Sequence, residues 1–407
     1  MSMQDGSVEQ VAISVITENR LPHYEPYGWH HWPDHPIMSF QLRRALGETQ
    51  EGGGAVSECL QAASRMIPGD LESWHAEWTR VADRNRIRGD EAIGRGHRQT
   101  AMNCWLRAAN YYRHAEFFLE PSDPRRLATF ERCESMSKKF LAQLRPAGQA
   151  VEIPYEDGKP MYGYFVQSPV GAGPQPVLIC CGGLDSYKDE LWFMMARGAV
   201  QRGFSVLMFD GPGQGGTLRR HRIPTRHDYE VPVGRCIDWL LENTAIDPAR
   251  IAVCGSSLGG YYSARAASME PRIAACISHG AIWSIHHGYS SRKDVRTAEK
   301  SRHVKWVFGA DDIDAAIEKT RPFTLEGVLE KMRCPYLIVH GGHDVNGVQR
   351  ANMVHEYAKR KAVDVTLRIV TAEETGADHC QHDNPTIGQE LAMDWLADVF
   401  KVDQLAS

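Results

Sequence analysis

The sequence predicts an α/β protein in which a mostly parallel, doubly wound sheet follows an all-helical N-terminal domain. Helical periodicity fills residues 37–145, and the pattern changes to strand-like alternation near residue 146. From there to the C-terminus, apolar strand-like runs alternate with helical segments. Parallel strands need crossover connections that are usually helices, so this alternation indicates a parallel sheet. We therefore expect an N-terminal arm and helical cap over residues 1–147 and the α/β domain over residues 148–407.

The helical domain is predicted from apolar stripes. Leu71, Trp74, Trp78 and Val81 recur at three- and four-residue spacing after Asp70, a residue type that caps helices. A second stripe runs over residues 101–118, and a third helix is expected after residue 123. The small alanines at the helical seam resemble a tetratricopeptide-like hairpin, but no second copy follows at that period. The pattern favours a helical cap over a repeat array.

The first 35 residues are irregular and rich in aromatic and histidine residues. His23, His30, His31 and His35 lie close together in the sequence, but no carboxylate or cysteine stands at metal-ligand spacing. Four prolines in the same stretch favour an extended arm whose aromatic residues line a pocket. We expect neither a metal nor a cofactor.

The α/β part is predicted to begin with an antiparallel hairpin over residues 151–166. Residues 284–330 are longer than a normal crossover and predict a small helical lid. Six further strands are predicted at 176–181, 205–209, 251–254, 273–278, 336–340 and 365–370. The predicted helices of this part are 190–202, 231–243, 261–268, 292–305, 311–319 and 387–400.

Composition excludes several classes of protein. A net charge of -5 with mixed signs argues against nucleic acid or an anionic membrane as the main partner. No apolar run approaches the ~18 residues of a membrane span. The N-terminus has no basic and apolar signal-peptide pattern. The ten cysteines are scattered without a CxxC motif, which is typical of buried free thiols. These features predict a cytoplasmic protein without a membrane partner.

The catalytic nucleophile is predicted from residues 251–260. An apolar run ends in Gly255-Ser256-Ser257-Leu258-Gly259, and a helix of small residues follows. This is the G-x-S-x-G nucleophile elbow of α/β hydrolases in its strand–turn–helix setting. The elbow exposes the central Ser257 rather than Ser256. The backbone N–H of Leu258, at the helix N-terminus, is expected to hold the oxyanion of the reaction.

A serine nucleophile needs a base and an orienting acid, which follow it in the order acid and then histidine in this fold. Asp344 follows the strand 336–340, and His379 follows the strand 365–370. His382 shares the second loop and is the rival base.

The second oxyanion donor is expected in the glycine-rich loop after the strand 177–181. There Leu184 is favoured over Gly183. Residues 209–216 lack the G-K-[ST] ending of a phosphate loop and are interpreted as a tight structural turn.

Six stretches of the chain carry a family resemblance: the Gly-Gly-Leu-Asp-Ser run at 182–186, residues 210–215, 255–260, 270–278 and 378–380, and the helical stretch 105–118. They resemble one α/β-hydrolase family, and the similarity covers nearly the whole chain. This family includes 2,6-dihydroxypseudooxynicotine hydrolase, fungal hydrolases that shorten polyketide side chains in pigment synthesis, and FrsA-like esterases. The resemblance implies the same triad of Ser257, Asp344 and His379.

The same resemblance implies a role for the residue after the Gly-Gly-Leu turn, where the family has a glutamate and this chain has Asp185. Two interpretations stay open: Asp185 handles a substrate proton, or it caps the N–H groups of Ser186 or Tyr187. Where the family often has Ser-Trp-Gly, residues 278–280 read Ser-His-Gly, which suggests a different substrate surface.

The resemblance implies a cofactor-independent hydrolase that cleaves a carbon–carbon bond next to a ketone in an aromatic or polyketide-like small molecule. The alternative is a carboxylesterase or lactonase acting on a small aromatic ester with the same triad. A binding or regulatory protein on a hydrolase scaffold is disfavoured by the intact triad. The two-domain architecture and the aromatic arm favour a homodimer.

Overall fold

The computed structural model describes residues 31–171 and 173–404. Most of the predicted aromatic arm, including His23, His30 and the aromatic residues up to Trp29, lies outside the described residues. Trp32 is described; it is buried, and its ring meets that of Trp74 edge-on at 6.4 Å. The arm therefore ends against the core of the helical domain.

Five helices precede the first strand in the part of the chain that starts at residue 31. The predicted cap at Asp70 is confirmed, since Asp70 accepts a hydrogen bond from the Glu72 N–H at 2.9 Å. The helix expected after residue 123 is capped by Asp123, which accepts a hydrogen bond from the Arg125 N–H at 2.8 Å. Trp74 and Trp78 are fully buried, as their stripe predicts. The helices are α1 Pro36–Gly47, α2 Val56–Ala63, α3 Leu71–Gly94, α4 Arg98–Glu116 and α5 Pro124–Leu141.

The sheet has eight strands in the order β1-β2-β4-β3-β5-β6-β7-β8. β1 pairs antiparallel with β2, and β2 pairs antiparallel with β4, while all the other pairs are parallel. The doubly wound, mostly parallel sheet is confirmed. The strands are β1 Gln149–Pro154, β2 Pro160–Val166, β3 Gln175–Cys181, β4 Ser205–Asp210, β5 Ile246–Ser256, β6 Ala275–His279, β7 Tyr336–Gly341 and β8 Val365–Val370.

Ten helices accompany the sheet within the described residues. They are α6 Lys188–Leu191, α7 Arg197–Gln201, α8 Gly215–His221, α9 Glu230–Asn243, α10 Leu258–Met269, α11 Ile285–Ser291, α12 Ala298–Phe308, α13 Ile313–Lys319, α14 Val345–Arg360 and α15 Pro385–Phe400. A π-helical turn, Trp192–Ala196, joins α6 to α7.

Several details differ from the prediction. Helices α11 and α14 were not among the predicted helices, and the helix predicted over 190–202 divides into α6, the π-helical turn and α7. The helix predicted over 292–305 is broken at Thr297, whose extended backbone (ψ 154°) starts α12 anew. Residues 209–216 were predicted as a turn only, yet α8 begins at Gly215. The glycines of that stretch hide the helix because glycine has a low helix propensity.

The helical domain packs on one face of the sheet. Leu178 and Cys180 of β3 belong to the same buried cluster as the helical-domain tryptophans, whereas Val177 and Ile179 face a second cluster on the other side. All ten cysteines are buried and free. Within the described ranges, no helix is both long and apolar enough to cross a membrane.

Candidate active site

Ser257 occupies the sharp turn between β5 and α10. Its backbone has φ 58° and ψ −118°, a left-handed conformation that costs energy in a non-glycine residue. A Cβ on Gly255 would lie 1.8 Å from the Gly259 carbonyl oxygen, so the strand and the helix approach too closely for any side chain there. The neighbouring Ser256 is buried, with its Oγ 3.4 Å from Nδ1 of His279. The turn therefore leaves Ser257 as the presented hydroxyl.

The three residues predicted to form the triad lie together. Ser257 Oγ is 2.8 Å from Nε2 of His379, and His379 Nδ1 is 3.1 Å from Oδ2 of Asp344. Asp344 stands at the start of α14, where its Oδ1 accepts a hydrogen bond from the Gly347 N–H at 2.9 Å. These contacts form a continuous chain from carboxylate to hydroxyl across three separate loops.

The electrostatics of this chain favour a charged acid and a proton on Nδ1 of the base. Burial alone would raise the pKa of Asp344, but its polar contacts with His340 and His379 and the charge of His379 hold it well below its usual value. The pKa of His379 is raised, first by Cys380 and then by the hydrogen bond to Asp344, while burial opposes both. In the neutral form of His379, the ionised Asp344 accepts a hydrogen bond from Nδ1–H, which leaves Nε2 to accept the proton of Ser257.

His340 of β7 is a buried neighbour of the acid. Its Nε2 lies 3.5 Å from Oδ2 of Asp344. Burial lowers the pKa of His340, which keeps the ring neutral beside the carboxylate. A Cβ on Gly347 would meet this Nε2 at 2.1 Å, so the start of α14 packs tightly over His340.

The rival base, His382, lies apart from the serine. It is buried, its ring meets Phe40 edge-on at 5.7 Å, and its ring centroid is 6.4 Å from that of His379. Burial, followed by the charge of Arg44, lowers its pKa well below the usual value. The geometry thus favours His379 over His382 as the base.

Replacing the two histidines separately tests this choice. We expect His379→Ala to lower kcat for 4-nitrophenyl acetate by roughly 10⁴-fold or more, because the serine loses its proton acceptor. His382→Ala is expected to lower kcat by less than about tenfold, because it removes packing rather than chemistry. Steady-state kinetics on both variants provide the measurement. A larger loss in His382→Ala than in His379→Ala would overturn the assignment.

The glycine-rich loop after β3 lies directly against the nucleophile. A Cβ on Gly183 would be 2.9 Å from the Ser257 Cβ. Gln214 donates from Nε2 to the carbonyl oxygens of Gly182 at 2.5 Å and Gly183 at 3.3 Å. Since C=O and N–H point in opposite directions in a trans peptide, the Leu184 N–H points away from Gln214. The Gly182 carbonyl faces Gln214 in the same way, so the Gly183 N–H also points away from Gln214, and both amides remain candidate donors from this loop.

The other predicted donor is the N–H of Leu258, the first residue of α10. The first turn of a helix has no intrahelical acceptor for its N–H groups, so this one is available to an oxyanion.

Sequence analysis missed Gln214. It lies in residues 209–216, is buried, and its Oε1 accepts a hydrogen bond from the Tyr229 hydroxyl at 3.1 Å. That bond fixes which end of the amide faces the Gly182 and Gly183 carbonyls. The sequence feature that could have indicated Gln214 is its position as the single glutamine in a stretch rich in glycine and proline. The structural turn thus also supports the loop beside Ser257.

Asp185 is the centre of a buried ion-pair cluster. Its Oδ2 contacts Arg126 Nη2 and lies 2.7 Å from His303 Nδ1, and its Oδ1 is 3.1 Å from Arg219 Nη2. Burial would raise the pKa of Asp185, but the charges of Arg126 and Arg219 and the bond to His303 hold it well below its usual value. The Ser186 N–H donates to Gly183 O at 3.4 Å, which does not fit the interpretation in which Asp185 caps Ser186.

The segment that follows Asp185 binds the helical domain through buried charges. Lys188 Nζ lies 2.5 Å from Glu134 of α5 and 3.0 Å from Asp210 of β4. Glu190 pairs with Arg113 of α4 at 3.2 Å. The helical domain therefore anchors the chain immediately after the loop that faces Ser257.

The same domain also reaches the loop of the base. Arg43 of α1 lies 2.5 Å from Asp378, the residue before His379. A Cβ on Gly47 would be 2.2 Å from the His382 carbonyl oxygen, so α1 crosses this loop at close range. Two of the three loops that form the site thus depend on the helical domain.

The chain matches known proteins over most of its length. The family model described as Esterase FrsA-like matches residues 69–301. The 20-hydroxy-prefusarin hydrolase FUS2 of Gibberella moniliformis is 34% identical over 340 residues, covering 74% of this chain and 81% of the relative. The hydrolase acrC of Aspergillus aculeatus is 33% identical over 345 residues, covering 73% and 80%.

Two solved structures share the architecture. The crystal structure of 2,6-dihydroxy-pseudo-oxynicotine hydrolase is 30% identical, with a TM-score of 0.73, and the match covers 87% of this chain and 95% of that one. AbyA5 matches with a TM-score of 0.68 over 90% and 95% of the two chains, but at 18% identity it shows the fold alone. The α/β-hydrolase fold is thereby confirmed.

Proposed function

Since this chain belongs to the FrsA-like esterase family of α/β-hydrolase enzymes, we propose that it is a serine hydrolase acting through Ser257, His379 and Asp344. The observation that carries the proposal is the unbroken hydrogen-bond chain through these three side chains. His379 takes the proton of Ser257 as the hydroxyl attacks a carbonyl carbon, and Asp344 stabilises the imidazolium. The amides of Leu258 and Leu184 hold the oxyanion; one such donor contributes roughly 3 kcal/mol to barrier lowering.

We propose that the enzyme cleaves a carbon–carbon bond next to a ketone in an aromatic or polyketide-like small molecule. The likeness to 2,6-dihydroxy-pseudo-oxynicotine hydrolase, 30% identical over most of both chains, supports this choice. The likeness to 20-hydroxy-prefusarin hydrolase supports a small organic molecule as the substrate. A carbon leaving group departs only when its charge spreads into a ring or a second carbonyl, which restricts the substrates to electron-delocalising ketones.

The second candidate is a carboxylesterase or lactonase. The family model that matches is that of an esterase, and the same triad serves an ester whose alkoxide leaves more easily. The two candidates differ in the atom that leaves, carbon or oxygen.

Two isomers separate the candidates. Phloracetophenone and phloroglucinol monoacetate carry the same acetyl group on carbon and on oxygen of the same polyphenol, so both yield acetate and phloroglucinol. A carbon–carbon hydrolase is expected to release phloroglucinol from both at rates within about a hundredfold, measured by chromatography against Ser257→Ala protein. Rapid turnover of the ester with no release from the ketone would establish the esterase instead.

A further inference from the structure

A second Asp–His pair lies beside the site. His303 of α12 is buried, and its Nδ1 is 2.7 Å from Oδ2 of Asp185. The low pKa of Asp185 keeps this carboxylate ionised, so it accepts a hydrogen bond from Nδ1–H of His303. Among the residues that the structure describes, Nε2 of His303 has no hydrogen-bond partner. The arrangement repeats that of His379 on Asp344: a carboxylate holds Nδ1, and Nε2 is left for another group.

The pair is both rigid and close to the nucleophile. The His303 ring stacks on Phe117, with centroids 4.8 Å apart and planes 27° apart, which fixes its orientation. Asp185 is two residues from Gly183, which packs on Ser257, and two residues span at most about 7 Å of chain. His303 thus stands beside the turn that presents the Leu184 amide.

Other unpartnered polar atoms surround the pair. Arg126 Nη1 and Trp306 Nε1 are buried and, like His303 Nε2, have no hydrogen-bond partner within residues 31–171 and 173–404. The Arg126 guanidinium lies 5.3 Å from the centre of the Trp306 ring. Buried polar groups are almost always hydrogen-bonded, so a ligand with several oxygens would complete them. Together with the rings of Phe117 and Trp306, they suit an oxygenated aromatic ring.

We infer that His303, oriented by Asp185, is a second acid–base catalyst that moves a proton within a polyphenol ketone before its carbon–carbon bond breaks. The inference rests on the proposed function. Nε2 of His303 takes the proton of a ring hydroxyl and delivers it to the ring carbon that bears the acyl group, which gives the keto tautomer. Ser257 then attacks the ketone, and the bond electrons pass into the ring as a phenolate. The phenolate takes its proton from His379, and water later hydrolyses the acyl-Ser257.

The ester isomer needs no such proton transfer, because its leaving oxygen takes a proton from His379 directly. The two isomers also form the same acyl-enzyme. Loss of His303 is therefore expected to slow only the steps before this intermediate, and only with the ketone. Loss of an acid–base catalyst typically lowers a rate by 10²–10⁴-fold.

The test is His303→Asn. The asparagine amide lies near the position of Nδ1 and can still donate to Asp185, but the group at Nε2 is gone. We expect the ratio of phloracetophenone turnover to phloroglucinol monoacetate turnover to fall by about 100-fold or more. His287→Ala, which removes an exposed histidine of the same lid, is expected to leave both rates unchanged. Thermal unfolding establishes that each variant is folded.

The outcomes separate the inference from the proposed function. Absence of ketone cleavage by the unaltered enzyme overturns the proposed bond and the role of His303 together. Ketone cleavage by the unaltered enzyme, with a ratio that His303→Asn leaves within about threefold, overturns the role of His303 alone. Equal losses of ketone and ester turnover in His303→Asn also overturn it, because they indicate a structural role that asparagine does not restore.

Discussion

Ser257→Ala is expected to lower kcat by roughly 10⁵-fold with either isomer, because the variant retains oxyanion donors but has no nucleophile. The protein should stay folded, since the exchange removes one oxygen at a turn whose strain is set by the backbone. Release of phloroglucinol, followed by chromatography, measures the loss. A reduction of less than about tenfold would show that Ser257 is not the nucleophile.

The neighbouring serine provides the matched control. Ser256→Ala is expected to retain most of the activity, because the Ser256 side chain points to His279 within the protein. A fluorophosphonate probe should label the unaltered enzyme and Ser256→Ala, but not Ser257→Ala. Labelling that persists in Ser257→Ala would place the reactive hydroxyl elsewhere.

Arg126→Leu is expected to destabilise the protein by roughly 3–5 kcal/mol, because it leaves the buried carboxylates of Glu116 and Asp185 without one of their counter-charges. Since Asp185 follows the loop beside Ser257, kcat should fall as well. The free energy of unfolding in urea and the ester kinetics give the two readouts.

The adjacent arginine is the control for this effect. Arg125 makes its ion pairs with Glu72 and Asp123 at the surface, and 43% of its side chain is exposed. Such pairs contribute about 0–1 kcal/mol, so Arg125→Leu should be nearly neutral. Equal destabilisation by the two variants would contradict a special role for the buried cluster.

The triad could be predicted because it follows from local rules. The elbow needs small residues at Gly255 and Gly259, and the acid and the base follow strands whose apolar runs are visible in the sequence. Parallel strands bring their carboxyl ends to one edge of the sheet, so Asp344 and His379 had to lie near Ser257. Chain order then made His379 and His382 the two candidates, and only the geometry separates them.

Contacts between distant segments could not be predicted in the same way. Arg126 and Asp185 are 59 residues apart, and His303 and Asp185 are 118 apart. From the sequence alone, a charged residue of a helix is expected to face solvent, because charged side chains are seldom buried without a partner of opposite charge. The partner is known only once the fold is known. For the same reason, the family resemblance drew attention to Asp185 without indicating His303.

The buried charges between the helical domain and the sheet also constrain how enzymes of this kind diversify. Three residues of the helical domain form buried ion pairs with residues of the catalytic domain. The pairs are Arg113 with Glu190, Arg126 with Asp185, and Glu134 with Lys188. A chimaera with the helical domain of a relative would contain buried charges without ion-pair partners, unless the partner residues of the sheet domain were exchanged as well. New specificities in this scaffold are therefore expected to arise by changes within an existing cap rather than by exchange of whole caps.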